Sequence, residues 1–269
     1  MSYARNFAFT VLACCLSAAF AQGTPPAAKA APAPAPKAAP APAANASGPA
    51  ASRGAENTAE LDEVSRLMRA GKLQQALVLA EAVVQSYEDR YRHGKIQVFA
   101  ARSPAEAQVY LNDVGNKPTP GKEVIDAGVY PSTWGDAYYL KSFILTEMKH
   151  GPEARKAIEA AVALAPHNAA YRAELGQLLL KDKNFDEAAK EFKRAEADAR
   201  TFSPVSVRNR ELARALRGQA FVMVEKKDFD GAEKTYNECL KLDPSDPVAK
   251  AELRYISQKR AQQQSGSGK

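Results

Sequence analysis

Histidine is scarce in this chain of 269 residues, with only three copies. His93, His150 and His167 each lie near a predicted loop or helix end, and none is spaced as a metal-binding pair with another histidine or a cysteine. Adjacent carboxylates such as Asp186 and Glu187 open a predicted helix, where they suit the helix dipole. The sequence therefore predicts no catalytic residue, no metal and no cofactor, and we expect a protein that is not an enzyme.

A usable phosphate-binding loop is also missing. The nearest match runs from Gly115 to Glu123, and it has five residues between its glycines where the nucleotide-binding loop has four. Pro118 and Pro120 stand where backbone amides should cradle phosphate, and Glu123 replaces the hydroxyl residue that would bind magnesium. We therefore exclude nucleotide binding at this segment.

The apolar run at the N-terminus is too short for a transmembrane helix, which needs about 20 residues. It extends from Phe7 to Phe20, follows Arg5, and ends at a small-x-small cleavage site, Ala-Phe-Ala at 19–21. This pattern predicts a signal peptide at 1–21, export to the periplasm, and no transmembrane helix in the mature chain. Two alternatives stay open: a retained N-terminal anchor, or a lipoprotein anchored at Cys14, which follows Val-Leu-Ala.

Cysteine is as rare as histidine. Cleavage after Ala21 would remove Cys14 and Cys15 and leave Cys239 as the only thiol of the mature chain. A single cysteine cannot form an internal disulfide, and a nucleophilic cysteine would need a histidine and an electropositive setting. We expect Cys239 to fill the core.

Large apolar residues are almost absent from 22–56, which consists mainly of alanine, proline, glycine, serine and a few lysines. Proline disfavours helices, so this composition predicts a disordered Ala/Pro-rich linker. At about 3.1 Å per residue it could span on the order of 100 Å. Residues 263–269 are predicted to be a disordered tail.

The net charge of +6 is concentrated near the C-terminus. Residues 250–269 contain five basic residues and one acidic residue, and Arg5 belongs to the predicted signal peptide. A nucleic-acid groove would distribute basic residues along one face. We therefore expect no nucleic-acid partner.

The sequence does contain an internal repeat. Small and apolar residues recur at offsets 0, 4 and 7, with a proline at offset 12 in two of the three segments. The first two segments are 34 residues apart, which is the length of one helical hairpin in a solenoid, and the third follows after 44. Residues four and seven apart share one face of a helix, which predicts a packing face. The three sets are Ala154, Ile158, Ala161 and Pro166; Ala188, Phe192 and Ala195; and Ala232, Tyr236, Cys239 and Pro244.

These residues resemble the tetratricopeptide repeat family, whose units are antiparallel helix pairs with small residues where the helices cross and a proline at the exit turn. The resemblance implies an all-α fold: a right-handed α-solenoid of helical hairpins with an irregular insert and a C-terminal capping helix. It places the repeat domain at 57–262, with units at 57–90, 135–168, 169–202 and 213–246, the insert at 91–134 and the cap helix at 247–260.

Local signals predict structure inside the insert. Branched and aromatic residues at 96–99 favour an extended segment. Ser103-Pro104-Ala105-Glu106 is a capping box with proline at the first helical position, which predicts a helix over 104–113.

In this family the first helix of each unit lines a concave groove. Aromatic side chains beside arginine and lysine there would suit an extended acidic or carboxylate-ended segment. The alternative for Phe143 and Phe221 is packing against the neighbouring hairpin or the insert. The resemblance implies that the groove is lined by Asp136, Tyr139, Phe143, Glu147, Gln177, Lys181, Arg214, Arg217, Phe221 and Glu225.

Three functional interpretations follow. The first is an exported, non-enzymatic adaptor that binds a protein or peptide segment in the groove. The second is a structural component of the cell envelope, or a lipoprotein, tethered by the linker. The third is an enzyme or enzyme-accessory role located on the insert at 92–133. The lack of chemistry outside the repeat favours the first.

Overall fold

The computed structural model describes residues 50–92, 96–116 and 126–266. Within these ranges the chain forms ten α-helices and two β-strands, which confirms the predicted all-α class. The predicted signal peptide, residues 22–49 of the linker and residues 267–269 of the tail lie outside the described ranges. The elements are α1 (Ala50–Arg69), α2 (Leu73–Tyr91), β1 (Ile96–Ala101), α3 (Pro104–Asn116), β2 (Asp126–Pro131), α4 (Thr133–Glu147), α5 (Gly151–Leu164), α6 (Ala169–Lys181), α7 (Phe185–Thr201), α8 (Val205–Glu225), α9 (Phe229–Leu242) and α10 (Pro247–Gly266).

Eight of these helices form four hairpins, α1–α2, α4–α5, α6–α7 and α8–α9, and each hairpin packs on the next. The contacts between hairpins involve α2 with α4, α5 with α6, and α7 with α8. First helices also touch each other, α1 with α4 and α6 with α8. This is the solenoid predicted from the repeat, and its first helices share one side of the stack.

The repeat residues form the inner packing face. All nine side chains at offsets 0, 4 and 7 are fully buried, from Ala154 to Cys239. The same offsets in the first unit hold Ala76, Ala80 and Val83, which are also fully buried. Small residues at these crossings let neighbouring helices approach closely, so the predicted packing face is confirmed.

Every hairpin turns through the same backbone conformation. Gly71, Lys149, Lys183 and Lys227 all have positive φ, between 58° and 71°. In the second hairpin the Lys149 amide donates to the Thr146 carbonyl and the next amide donates to Leu145, and the other three turns repeat this pair of bonds. This is a helix C-terminal motif that closes through one left-handed residue.

The insert is more regular than predicted, because it is a β-α-β unit. Its strand β1 and helix α3 confirm the extended segment and the helix expected from local sequence. The Glu106 amide donates to Ser103 Oγ at 3.2 Å, as a capping box requires. The parallel pairing of β1 with β2, in the register Ile96 to Asp126, was not predicted.

The two ends of the stack are longer than expected. Helix α1 begins at Ala50, inside the predicted linker, and α10 continues to Gly266, inside the predicted tail. Alanine and glutamine at 261–264 have good helix propensity and no proline interrupts them, so the helix persists. Among the described residues, no helix combines the length and apolarity needed to cross a bilayer.

Candidate functional site: the groove cavity

The first helices of all four hairpins surround one cavity of about 540 Å³, which we call the groove cavity. Helix α1 contributes Leu61 and Asp62, and α6 contributes Tyr171. The insert supplies Arg102, which follows β1. Helix α4 adds Asp136 and Tyr139, and α8 adds Arg210, Arg214 and Arg217. The cavity therefore lies on the side of the stack that the family resemblance assigned to the groove.

The cavity lies at the N-terminal ends of two of these helices. Thr133 is the first residue of α4 and Asn168 is the N-cap of α6, and both line the wall. The Asn168 side chain accepts hydrogen bonds from the amides of Ala170, at 3.1 Å, and Tyr171, at 3.4 Å. Helix N-termini carry partial positive charge, so this end of the groove favours negative groups.

Arg214 joins three first helices across the cavity wall. Its Nη1 donates to the Tyr139 hydroxyl at 2.7 Å, and its Nη2 donates to the carboxylate of Glu174 on α6. The guanidinium also lies 5.8 Å from the ring centroid of Phe143, within the range of a cation–π contact. Arg214 is therefore held in place before any ligand arrives.

Arg217 is held in a comparable way one turn later on α8. Its Nη1 donates to Asp246 Oδ2 at 2.5 Å. The other oxygen of Asp246 accepts from the amides of Val248 and Ala249, so this carboxylate also caps α10.

Arg102 links the insert to α8. Its Nη1 donates to both carboxylate oxygens of Glu211, at 3.0 and 3.1 Å, and its Nε donates to Glu106 at 3.4 Å. The Ser203 hydroxyl donates a short hydrogen bond to Glu211 as well. The Arg102 Nη2 atom is buried and has no hydrogen-bond partner within the described part of the chain.

In each of these ion pairs the arginine side chain is more exposed than its carboxylate partner. The arginine side chains are 14%, 12% and 19% exposed at Arg102, Arg214 and Arg217. Their carboxylate partners are only 8%, 2% and 1% exposed. Glu211 also lines the cavity, whereas Glu174 and Asp246 do not, so a ligand would meet the guanidinium groups of Arg214 and Arg217 without their partner carboxylates.

Asp136 is a further acidic group of the wall, beside Asp62 and Glu211. It accepts a hydrogen bond from the Tyr171 hydroxyl at 2.7 Å. Burial raises the pKa of the Asp136 carboxyl above its ordinary value, although hydrogen bonds from Tyr171 and Ser132 act in the opposite direction. Burial likewise raises the pKa of the Tyr171 phenol. Burial thus disfavours the charged form of both groups.

Four of the ten predicted groove residues line the cavity: Asp136, Tyr139, Arg214 and Arg217. Phe143 is only 2% exposed and packs edge-to-face against Tyr139 at 4.7 Å. It is therefore a packing residue beneath the groove, as the alternative interpretation had it. Phe221 is half-buried away from the cavity.

The remaining predicted residues lie toward the other ends of the first helices. Glu147, Lys181 and Glu225 are the last residues of α4, α6 and α8, and Gln177 is half-buried on α6. None of these residues lines the cavity. The groove prediction thus covers a longer surface than the cavity occupies.

Two arginines of the cavity wall are absent from the ten groove residues that were predicted from the sequence. Arg210 belongs to the added N-terminal turns of α8, and Arg102 belongs to the insert. Both lie outside the positions that the family frame assigns to a groove. The extra ten residues between the last two repeats were the available signal, since they lengthen α8 toward the cavity.

Within the described residues, no group of three or more histidine, cysteine, aspartate or glutamate side chains is placed to hold a metal. Cys239 is fully buried, and burial raises the pKa of its thiol to about 12. Such a thiol is a poor nucleophile near neutral pH.

Comparison with known proteins agrees with this architecture. Family models described as tetratricopeptide repeat match residues 145–206 and 218–246. Pseudomonas aeruginosa pilF has a similar solved structure, with a TM-score of 0.53, 15% identity, and coverage of 78% of this chain and 72% of that one. A putative kinesin light chain from Podosopora anserina, with TPR-like repeats, has a TM-score of 0.52, 12% identity, and coverage of 79% and 90%. At these identities the likeness shows the fold alone. No curated protein sequence gives a significant match.

Proposed function

Because the chain is a tetratricopeptide repeat protein, we propose that it is a non-enzymatic adaptor that binds a segment of another protein in the groove cavity. The proposal depends on the residues that line the wall of the cavity, above all its arginines. The four first helices and the insert surround one concave space, to which α8 contributes three arginines and the insert one. Concave sites with a few fixed polar groups are where proteins hold ligands.

The segment that suits this wall presents a carboxylate or another anionic group. Guanidinium groups face the cavity, and the N-terminal ends of α4 and α6 add partial positive charge. Asp62 and Arg210 are the exposed charges at the cavity edge, where they would select among neighbouring residues of the segment. The half-buried Tyr139 ring gives an apolar surface beside them.

We further propose that this adaptor acts in the periplasm. The support is the signal-peptide pattern at 1–21, which ends at a small-x-small cleavage site.

Selection from a random peptide library tests the binding proposal. We expect the wild-type protein to enrich peptides with acidic residues, and Arg210→Glu to lose that enrichment, because it reverses an exposed charge at the cavity edge. Arg69→Glu is the matched control, since Arg69 is an exposed arginine at the end of α1 that does not line the cavity. It should select the same peptides as wild type.

Two outcomes would contradict the proposal. One is a wild-type selection that yields no consistent peptide. The other is a set of peptides that Arg210→Glu and Arg69→Glu bind equally well. Raising the salt concentration should weaken genuine complexes, because the proposed contacts are charged and partly exposed.

A further inference from the structure

His167 lies where the insert meets the repeats. It is in the connection between α5 and α6, and its ring stacks on Tyr110 of α3 with centroids 5.7 Å apart and planes 6° from parallel. The ring also lies 4.3 Å from that of Phe202, after α7. The backbone amide of His167 donates to the Tyr110 hydroxyl at 3.4 Å. One histidine therefore touches the insert and the third unit together.

Both ring nitrogens of His167 face carboxylates. Nδ1 lies 3.0 Å from Asp198 Oδ1 on α7, and Nε2 lies 3.1 Å from Asp113 Oδ2 on α3. A neutral imidazole has one N–H group, so it can donate to only one of these partners. The imidazolium form has two and can donate to both. The geometry thus fits the protonated ring better than either neutral tautomer.

The two carboxylates are not equivalent. Asp198 is 11% exposed and accepts a second bond from Arg172 Nε at 2.8 Å, which fixes its position. Asp113 is 51% exposed, and His167 is its one ion-pair partner among the described residues. When the ring has a single proton, Asp198 is the better acceptor. Asp113 is then the contact that is lost.

The other charged groups around the ring favour its cationic form. Arg172 also donates to Glu191, at 3.0 Å, so its charge is compensated on α7. On the α3 side, Tyr110 donates to Glu106 at 2.7 Å. The hydrogen bond to Asp198 raises the pKa of His167 above its ordinary value, with further contributions from Asp113, and burial acts in the opposite direction.

We propose that His167 is a pH-sensitive latch between the insert and the repeats. In its protonated form it holds the Asp113 end of α3, and loss of one proton releases that end. Since the folded protein holds this proton more tightly than the unfolded chain, the stabilisation is fully present below the ordinary histidine value of about 6.5 and is lost as pH rises through the folded value.

The latch bears on the groove cavity through the same helix. Arg102 lies just before α3 and lines the cavity, while Tyr110 and Asp113 lie in the last turns of α3. Release at one end of this short helix therefore reaches a residue of the wall at the other end.

Two measurements on the full chain test the latch. The first is the NMR titration of the three histidine rings, with His93→Gln and His150→Gln used for assignment. We expect the His167 ring to titrate above the ordinary histidine value of about 6.5. The second is amide hydrogen exchange over 107–114, corrected for intrinsic rates. Its protection should fall about threefold through the same midpoint, the size expected for a partly exposed ion pair.

Asp113→Asn separates the latch from simple packing. A carboxamide can accept from the ring N–H or donate to the bare nitrogen, so its contact survives in both ring states. In this variant we expect the midpoint of His167 to fall and the protection of 107–114 to become independent of pH. Asp89→Asn, an exposed change on α2, should behave as wild type.

Each contrary result overturns the proposal. The latch is wrong if His167 titrates at or below the ordinary histidine value in the wild type. It is equally wrong if the exchange protection of 107–114 does not change as His167 titrates. The same holds if this protection keeps its wild-type pH dependence in Asp113→Asn. None of these readouts requires a ligand, so they remain separate from the test of peptide binding.

Discussion

The ring of Phe192 on α7 fills the space that a side chain at Gly218 on α8 would need. A β-carbon built on Gly218 would lie 2.5 Å from Cζ of the ring and closer still to Cδ1 and Cε1. The same ring also approaches Gly176 of α6, where the corresponding distance to Cε1 is 2.8 Å. Two glycines thus let one fully buried aromatic join three helices.

Gly218→Ala should lower the free energy of unfolding by about 2 kcal/mol, because the buried ring has no room to move aside. Gly176→Ala should cost less, since its clash with the ring is milder, while the gain of about 1 kcal/mol in helix propensity is the same at both positions. Gly151→Ala is the control, because a β-carbon there meets nothing within 4 Å. Urea unfolding followed by circular dichroism compares them. Equal stability of Gly218→Ala and Gly151→Ala would refute this account of the contact.

The three lysines at the hairpin turns provide a test in which substitution should stabilise the protein. Lys149, Lys183 and Lys227 adopt the left-handed conformation that glycine occupies at position 71. Replacing each with glycine should raise the free energy of unfolding by about 0.5–1 kcal/mol, because a β-carbon is unfavourable at positive φ. The melting temperature would rise by about 2 °C per turn.

Lys156→Gly is the matched control for these turns. Lys156 is an exposed lysine in the middle of α5, where glycine costs about 1 kcal/mol of helix stability. Its melting temperature should therefore fall. A turn variant that falls by the same amount would show that the lysine side chain, and not the backbone, decides the stability of the turn.

Cys239 should resist alkylation in the folded protein. With burial raising the pKa of its thiol to about 12, the thiolate fraction at pH 8 is about 10⁻⁴. In a chain with Cys14→Ser and Cys15→Ser, iodoacetamide should label Cys239 slowly in buffer and rapidly in urea. Ser257→Cys, at an exposed position on α10, gives the reference rate for an accessible thiol. Equal rates in buffer would place Cys239 at the surface.

The intact mass of the protein isolated from cells tests the predicted signal peptide. We expect it to begin at Gln22 and to carry no lipid, because 19–21 fits a signal-peptidase site and Leu12 fits a lipoprotein box poorly. A mass that begins at Cys14 with added lipid would support the tethered lipoprotein. A mass that begins at Met1 would support the retained anchor.

The repeat was predictable because it depends on local periodicity. Offsets of four and seven place residues on one helix face whatever the rest of the chain does, and all nine such residues are buried. The turns have the same register: 78, 34 and 44 residues separate Gly71, Lys149, Lys183 and Lys227, and the same intervals separate Ala76, Ala154, Ala188 and Ala232. The capping box likewise fixed the start of α3 from four adjacent residues.

The groove was less predictable because it depends on contacts between distant segments. The burial of Phe143 follows from the Tyr139 ring and from Arg214, which comes from another unit. The pairing of β1 with β2 needs partners 30 positions apart. No local pattern in the sequence predicts the contact between Arg102 and Glu211, which are 109 positions apart.

A row of hairpins that touch only their neighbours is expected to fray from either end, one hairpin at a time. The bond from Arg102 to Glu211 changes that expectation, because it passes over the hairpin α6–α7 and ties the segment between β1 and α3 directly to α8. The last hairpin cannot detach unless the ion pair between Arg102 and Glu211 also breaks. We therefore expect the order of the segment after β1 to be coupled to that of α8, although a whole hairpin separates them in the stack.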